Sequence, residues 1–231
     1  MVRHFELDLN LVKEKLNFMA GLAVSNIFLA IKILTDREGK LASEIHTQEE
    51  KINSLQIEID NFCLELIALH QPVAADLRLL VSAMKINSEL ERIGDQAINI
   101  TQAAMDLIRQ PQLKPLVDTP RMAELVQRMA KDALDSFVKK DSLLAREVLK
   151  RDDQIDEFKD RIRAELETLM SQDPSAVHRG LQLIMISRHL ERIADHSTNI
   201  AEDVVYLVEG KDVRHYFERK PLKTAANEKG I

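Results

Sequence analysis

Chain-breaking residues are scarce in this sequence. Its 231 residues include six Gly and six Pro, and no Pro precedes Pro72. That scarcity favours long helices over a fold of many short strands. Aromatic residues make up 4% and Trp is absent, which further weakens an all-β reading. The single cysteine, Cys63, cannot form an internal disulfide, so the cytoplasm is the expected compartment. Between Phe62 and Leu64 it reads as an inert buried thiol. The first ten residues contain no signal-peptide hydrophobic segment. The most apolar stretch, residues 18–34, is interrupted by Ser25, Asn26 and Lys32. A lipid-embedded helix needs ~20 mostly apolar residues, so this stretch is expected to be a core helix. Clustered positive charge is missing from the body of the chain. Residues 211–231 carry six basic and three acidic groups, which leaves 26 basic against 35 acidic in residues 1–210. An acidic body argues against nucleic acid, whose phosphates call for clustered Lys and Arg.

What is present is helical periodicity. Apolar residues are 45% of the chain and recur at three- and four-residue spacing almost throughout. The pattern predicts six helices, over residues 7–36, 40–70, 75–109, 122–140, 142–171 and 176–209, the last closing at Gly210. Between the third and fourth lies QPQLKPLVDTP, residues 110–120, with three prolines. The halves repeat. Leu90-Glu91-Arg92-Ile93-Gly94-Asp95 recurs 100 residues later as Leu190-Glu191-Arg192-Ile193-Ala194-Asp195. Glu49-Glu50-Lys51-Ile52-Asn53 recurs 103 residues later as Asp152-Asp153-Gln154-Ile155-Asp156. The expected fold is all-α, two tandem three-helix bundles related by internal pseudo-symmetry. Residues 1–110 would form the first, 111–120 a linker, 121–210 the second and 211–231 a flexible basic tail.

The repeated blocks bring acids together. Leu77, Met84, Glu91, Ile98 and Met105 lie seven apart, and Val177, Ile184, Glu191, Thr198 and Val205 repeat the phase. This spacing predicts an acid in the core seam of each copy, with Asp95 and Asp195 one turn later on the same face. A hairpin turning near Pro72 sets Glu49 level with Asp95 and Asn53 level with Glu91. A second turn, at Asp173-Pro174, sets Asp152 level with Asp195 and Asp156 level with Glu191. Glu49 and Asn53 are expected to flank the stripe of Ile45, Ile52, Ile59 and Leu66 rather than to lie in it. Inward carboxylates are costly unless paired, protonated or bound to a cation. Oxygen donors one turn apart on facing helices suit Mg, Ca, Mn or Fe, and without His a mononuclear structural zinc site is disfavoured. The competing reading is a carboxylate–arginine network drawing on Arg78, Arg92, Arg188 and Arg192. His189 and His196 neighbour the second set and are assigned polar helix-face roles.

Other chemistries lack their motifs. None of the seven His residues follows Glu by three positions, as the ferritin-like di-iron pattern requires. There is no Walker loop, no G-x-G-x-x-G and no G-x-S-x-G. No nucleophile with an assigned base is apparent, so no catalytic residue is named. A metal-dependent enzyme and a metal-free helical scaffold remain the alternatives.

The quoted residues resemble the PhoU family of phosphate-uptake regulators. Gln71-Pro72-Val73-Ala74-Ala75-Asp76-Leu77-Arg78 is similar to the family's turn signature, and the blocks at 91–95 and 191–195 to its repeated metal motif. The likeness extends from His4-Phe5 to His215. It implies a cytoplasmic negative regulator of phosphate signalling and uptake, and a homodimer. The implied partners are a phosphate ABC transporter ATPase and a membrane sensor histidine kinase, with the membrane reached only through them. It implies iron or zinc, with Mn or Mg as alternatives, on Glu49, Asn53, Glu91, Asp95, Asp152, Asp156, Glu191 and Asp195. The family pattern has Asp at the position of Asn53, so looser binding is expected in the first copy.

Overall fold

The computed structural model describes residues 2–213. Seven α-helices lie among them: α1 Val2–Asp36, α2 Ala42–His70, α3 Ala74–Leu107, α4 Asp118–Lys139, α5 Ser142–Lys150, α6 Asp152–Gln172 and α7 Val177–Glu209. Short 3-10 turns, Gly39–Leu41 and Pro174–Ala176, lead into α2 and α7. Helices α1, α2 and α3 form one bundle, and α4, α5–α6 and α7 the second. The bundles pack along α3 against α7, with α1 also against α4.

The stripes explain this packing. In α3 the buried residues Leu79, Ala83, Ile86, Leu90, Ile93, Ala97, Ile100 and Ala104 alternate spacings of four and three. In α7 Leu183, Ile186, Leu190, Ile193, Ser197, Ile200 and Val204 continue the rule. Such a seam holds one helix face against its partners along its length. Helix α1 is long and apolar enough to cross a bilayer by length and composition. Met19, Ala23, Ile27, Ala30 and Ile33, however, are buried within the protein. Cys63 is buried too, and desolvation followed by the Asp60 charge pushes its thiol up to about 12, as expected for an inert sulfur.

Three details depart from the sequence expectation. The helix expected over residues 142–171 is interrupted at Arg151, where Arg151 N bonds Val148 O and Gln154 N bonds Arg151 O, three-residue spacings in place of four. Arg151 Nη1 reaches Asp132 Oδ2 on α4 at 2.5 Å and holds the bend. Helix α1 is helical from Val2, five residues before the expected start. Val213, assigned to the tail, is buried against the core, while residues 214–231 of that tail lie outside the described residues. Gly210 ends α7 in the left-handed conformation, φ 67°, as its position suggested.

The segment between α3 and α4 is tied down at several points. Arg37 Nη2 bonds the carbonyls of Leu107 and Ile108 at 3.4 and 2.9 Å, and that of Gln110. Arg179 Nη1 bonds Pro111 O at 3.2 Å, and Lys114 pairs with Glu165. A guanidinium at a helix C-terminus satisfies otherwise unpaired carbonyls and complements the helix dipole. Arg37→Ala is therefore expected to cost up to about 1 kcal/mol, measured by urea unfolding; an unchanged midpoint would show that water serves those carbonyls equally well.

Candidate metal centre

The first acidic set straddles the α2–α3 hairpin. Glu49 lies inside the α2 stripe, between the buried Ile45 and Ile52, and is only 8% exposed. This corrects the expectation that it flanks the stripe: four residues after Ile45 and three before Ile52, it takes an inner position that an apolar residue would normally hold. Both its carboxylate oxygens are buried without a well-formed hydrogen bond; Asn53 and Asp95 lie close, at the margin of bonding geometry. Desolvation first, then the charges of Asp95 and Glu91, push Glu49 up to about 7. Glu91 is half-buried, and its carboxyl is raised by desolvation and by Asp95. Asn53 and Asp95 face solvent. The acids of α3 therefore do not sit in a core seam. The buried residues are Leu90 and Ile93, and Glu91 and Asp95 lie on the flank, where the groove between α2 and α3 opens.

Gly94 makes room for Glu49. A Cβ there would lie 2.5 Å from Glu49 Oε2 and 3.2 Å from Ile52 Cδ1. The second copy uses the opposite combination, the shorter Asp152 with the larger Ala194. Gly94→Ala alone should drive the carboxylate out of its place, and adding Glu49→Asp should relieve it. A double-mutant cycle in urea is expected to give a coupling of about 1 kcal/mol. Additivity would mean that Glu49 swings aside without loss.

The second set straddles α6 and α7 and already holds a cation. Lys159 Nζ bonds Asp156 Oδ1 at 2.8 Å and Glu191 Oε1 at 2.6 Å. These bonds outweigh desolvation and raise the lysine further above its ordinary value. Desolvation, then the charges of Asp152 and Glu191, lift Asp195 to about 6, although its outer side faces solvent. Among the described residues the counter-ion of Asp156 and Glu191 is thus Lys159, not one of the four arginines considered; Arg92, for one, pairs with Glu89 at 3.4 Å. Its signal in the sequence was modest: Lys159 stands one turn after Asp156, whereas the matching position in the first copy is the uncharged Gln56.

A polar seam joins the two bundles beside these sets. His196 Nδ1 is 2.7 Å from Glu89 Oε2, and His189 Nδ1 is 2.9 Å from Gln96 Oε1. Positions 89 and 196 correspond, through the repeat, to 189 and 96, so the two contacts are pseudo-symmetric copies of one another. Burial would raise the Glu89 carboxyl, but bonds from His196 and Asn199 hold it below its ordinary value. Both histidines thus bridge α3 and α7 by hydrogen bonds, a cross-bundle contact that the assigned helix-face role did not specify.

The structure therefore brings each set of four to one hairpin groove. Among the described residues no three His, Cys, Asp or Glu side chains form a ready-made chelate. The fit of a cation rests on Glu49, a buried carboxylate with unsatisfied oxygens beside two further acids. In the second set Lys159 stands between Asp156 and Glu191, where a metal would bind, and would have to yield its place.

Comparison with known proteins agrees with this architecture. The family described as "PhoU domain" matches residues 16–104 and again 119–204. The phosphate-specific transport system accessory protein PhoU homolog of Aquifex aeolicus is 40% identical over 208 residues, covering 90% of this chain and 94% of that protein. The Pseudomonas aeruginosa homolog is 37% identical over 230 residues, 99% of this chain and 95% of that protein. The crystal structure of PhoU from Pseudomonas aeruginosa superposes with a TM-score of 0.86 at 36% identity, covering 90% of this chain and 100% of that one. That of the phosphate transport system regulatory protein PhoU from Streptococcus pneumoniae gives 0.83 at 29% identity, over 90% and 99%.

Proposed function

The chain belongs to the PhoU domain family, and from that premise we propose that it is a negative regulator of phosphate signalling and phosphate uptake. It acts without catalysis, as a cytoplasmic helical adaptor between a phosphate ABC transporter ATPase and a membrane sensor histidine kinase, and works as a homodimer. The observation that carries the reading is the full-length likeness to proteins named for the phosphate-specific transport system, together with both copies of the acidic hairpin.

The carboxylate sets are read as metal positions within that adaptor. Glu49, Glu91 and Asp95, with the neutral oxygen of Asn53, would hold an ion in the first copy. Asp152, Asp156, Glu191 and Asp195 would hold one in the second. Iron or zinc is preferred, with manganese or magnesium as the alternatives. When bound, the ion would neutralise the acids and cross-link the two helices of each hairpin. Glu49 supplies a carboxylate that the fold leaves short of partners, and Lys159 competes for the second position. This reverses the asymmetry expected from Asn53 alone and makes the first copy the tighter.

Deleting the gene is expected to switch on phosphate-starvation reporters in phosphate-rich medium, with repression restored by the wild-type chain. A reporter that stays silent after deletion overturns the regulatory reading. Metal content by mass spectrometry of protein purified without chelator, beside Glu91→Ala/Asp95→Ala and Glu191→Ala/Asp195→Ala, tests the metal part separately.

A further inference from the structure

The two hairpin grooves are built alike but lined differently. In the first copy Asn87, fully buried, closes the gap between α3 and α2. Its Nδ2 donates to Gln56 O at 2.8 Å and to Asp60 Oδ1 at 2.9 Å. In the second copy the matching residue is Ser187, whose shorter side chain turns back to Ile184 O at 2.8 Å on its own helix. Among the described residues Ser187 makes no bond to α6; the α6–α7 bridge is instead Lys159 to Glu191, and a cavity of about 440 Å³ lies beside it. Lys159, Asp160, Arg163, Ser187, Arg188 and Glu191 line it.

The charges differ at four lining positions. Where the first copy has Gln56, Ile57, Asp60 and Ser88, the second has Lys159, Asp160, Arg163 and Arg188, three cations against one added acid. Three cations therefore converge on the opened groove of a chain whose net charge is −6. Their donors are not used up. Lys159 spends two of its three N–H donors on Asp156 and Glu191. Arg163 uses Nε alone on Glu167, at 2.7 Å, which leaves both terminal nitrogens. Arg188 makes no hydrogen bond or ion pair among the described residues. Of the two acids in the lining, Glu191 is bonded to Lys159, and Asp160 is exposed and lies within the field of Arg163.

We propose that this groove is an oxyanion site for a phosphate group, held by the Arg163 and Arg188 guanidiniums with the remaining donor of Lys159. Paired guanidiniums match the oxygens of phosphate in bidentate fashion and bind it more strongly than neutral donors would. The anion site stands on the geometry; the choice of phosphate rests on the function proposed above. A free phosphate ion and the phosphate of a small ester share this chemistry. The site is one-sided, because its counterpart has Gln56, Asp60 and Ser88 in place of the three cations, and Asn87 bonds across to Asp60 there.

The test is isothermal titration of the full-length chain with inorganic phosphate, as purified and again after EDTA treatment. Arg163→Asp/Arg188→Ser installs the residues that the first copy tolerates at the same places, and Ser187→Asn refills the gap. Saturable binding is expected in both metal states, weakened at least about tenfold in either variant, with unchanged circular dichroism. Three results overturn the proposal: no saturable binding, affinity that ignores the variants, or binding that disappears with EDTA, which would place phosphate on the metal instead. Competition by AMP would make an ester the ligand, whereas its failure to compete would make it the free ion; either supports the site. Absent binding with an intact reporter phenotype removes the site and leaves the regulatory function standing. A silent reporter with binding intact does the reverse.

Discussion

In chelator-treated protein, Glu49→Gln is expected to be about 2–3 kcal/mol more stable than the wild type at pH 8, and to match it near pH 4. The cause is the position of Glu49 inside the α2 stripe, 8% exposed, with its oxygens unsatisfied and Asp95 and Glu91 nearby. Its carboxyl is lifted from the ordinary 4.5 to about 7. Between those values the folded chain keeps a proton that the unfolded chain has lost, so wild-type stability falls as pH rises through the window. The full penalty persists above about 7. Gln keeps the volume and cannot ionise, so its stability profile lacks this descent. Asp195, also raised, is present in both proteins and cancels in the comparison. Urea unfolding at pH 5 and pH 8 reads the difference directly. Parallel profiles for the two proteins would mean that water or a neighbour already satisfies the Glu49 carboxylate. A bound divalent cation should invert the order, because it favours the ionised wild type.

Removing the internal counter-ion should have the opposite sign. Lys159→Met takes the ammonium from Asp156 and Glu191 while keeping an unbranched apolar side chain of similar length. The pair is partly exposed, so the cost lies between the surface and buried limits, about 1–3 kcal/mol at pH 7 and low salt. It should shrink as pH falls and the carboxylates protonate. Millimolar manganese should restore much of the loss, and the variant should carry about one more metal equivalent per chain than wild type under the same loading. Equal metal content in the two proteins would show that Lys159 does not compete for the second set.

The two predictions concern the equivalent acidic sets of the two copies, and their opposite signs come from single substitutions between them. Glu49 with Gly94 gives a long carboxylate driven inward, and Asp152 with Ala194 a shorter one; Gln56 leaves the first set without a cation, and Lys159 supplies one to the second.

Much of this was legible without coordinates. The 100-residue recurrence of Leu-Glu-Arg-Ile gives the tandem bundles, and three-and-four spacing with few breakers gives the helices. The turns at Pro72 and Asp173-Pro174 bring Glu49 beside Asp95 and Asp152 beside Asp195. These features are local, set by backbone periodicity and the reach of a tight turn, so the order of residues suffices to determine them. Other features needed the packed molecule. Seven-residue spacing is shared by several faces of one helix, and only the neighbours decide which face loses water; hence Leu90 is core, Glu91 is flank and Glu49 is inside. The interruption at Arg151, held by Asp132 on another helix, and the His196–Glu89 contact across the bundles join residues far apart in the chain. No periodicity reports on such pairs. Lys159 between two carboxylates and Ser187 beside an open groove depend on where side chains arrive once the helices are against one another, and that only the tertiary structure decides.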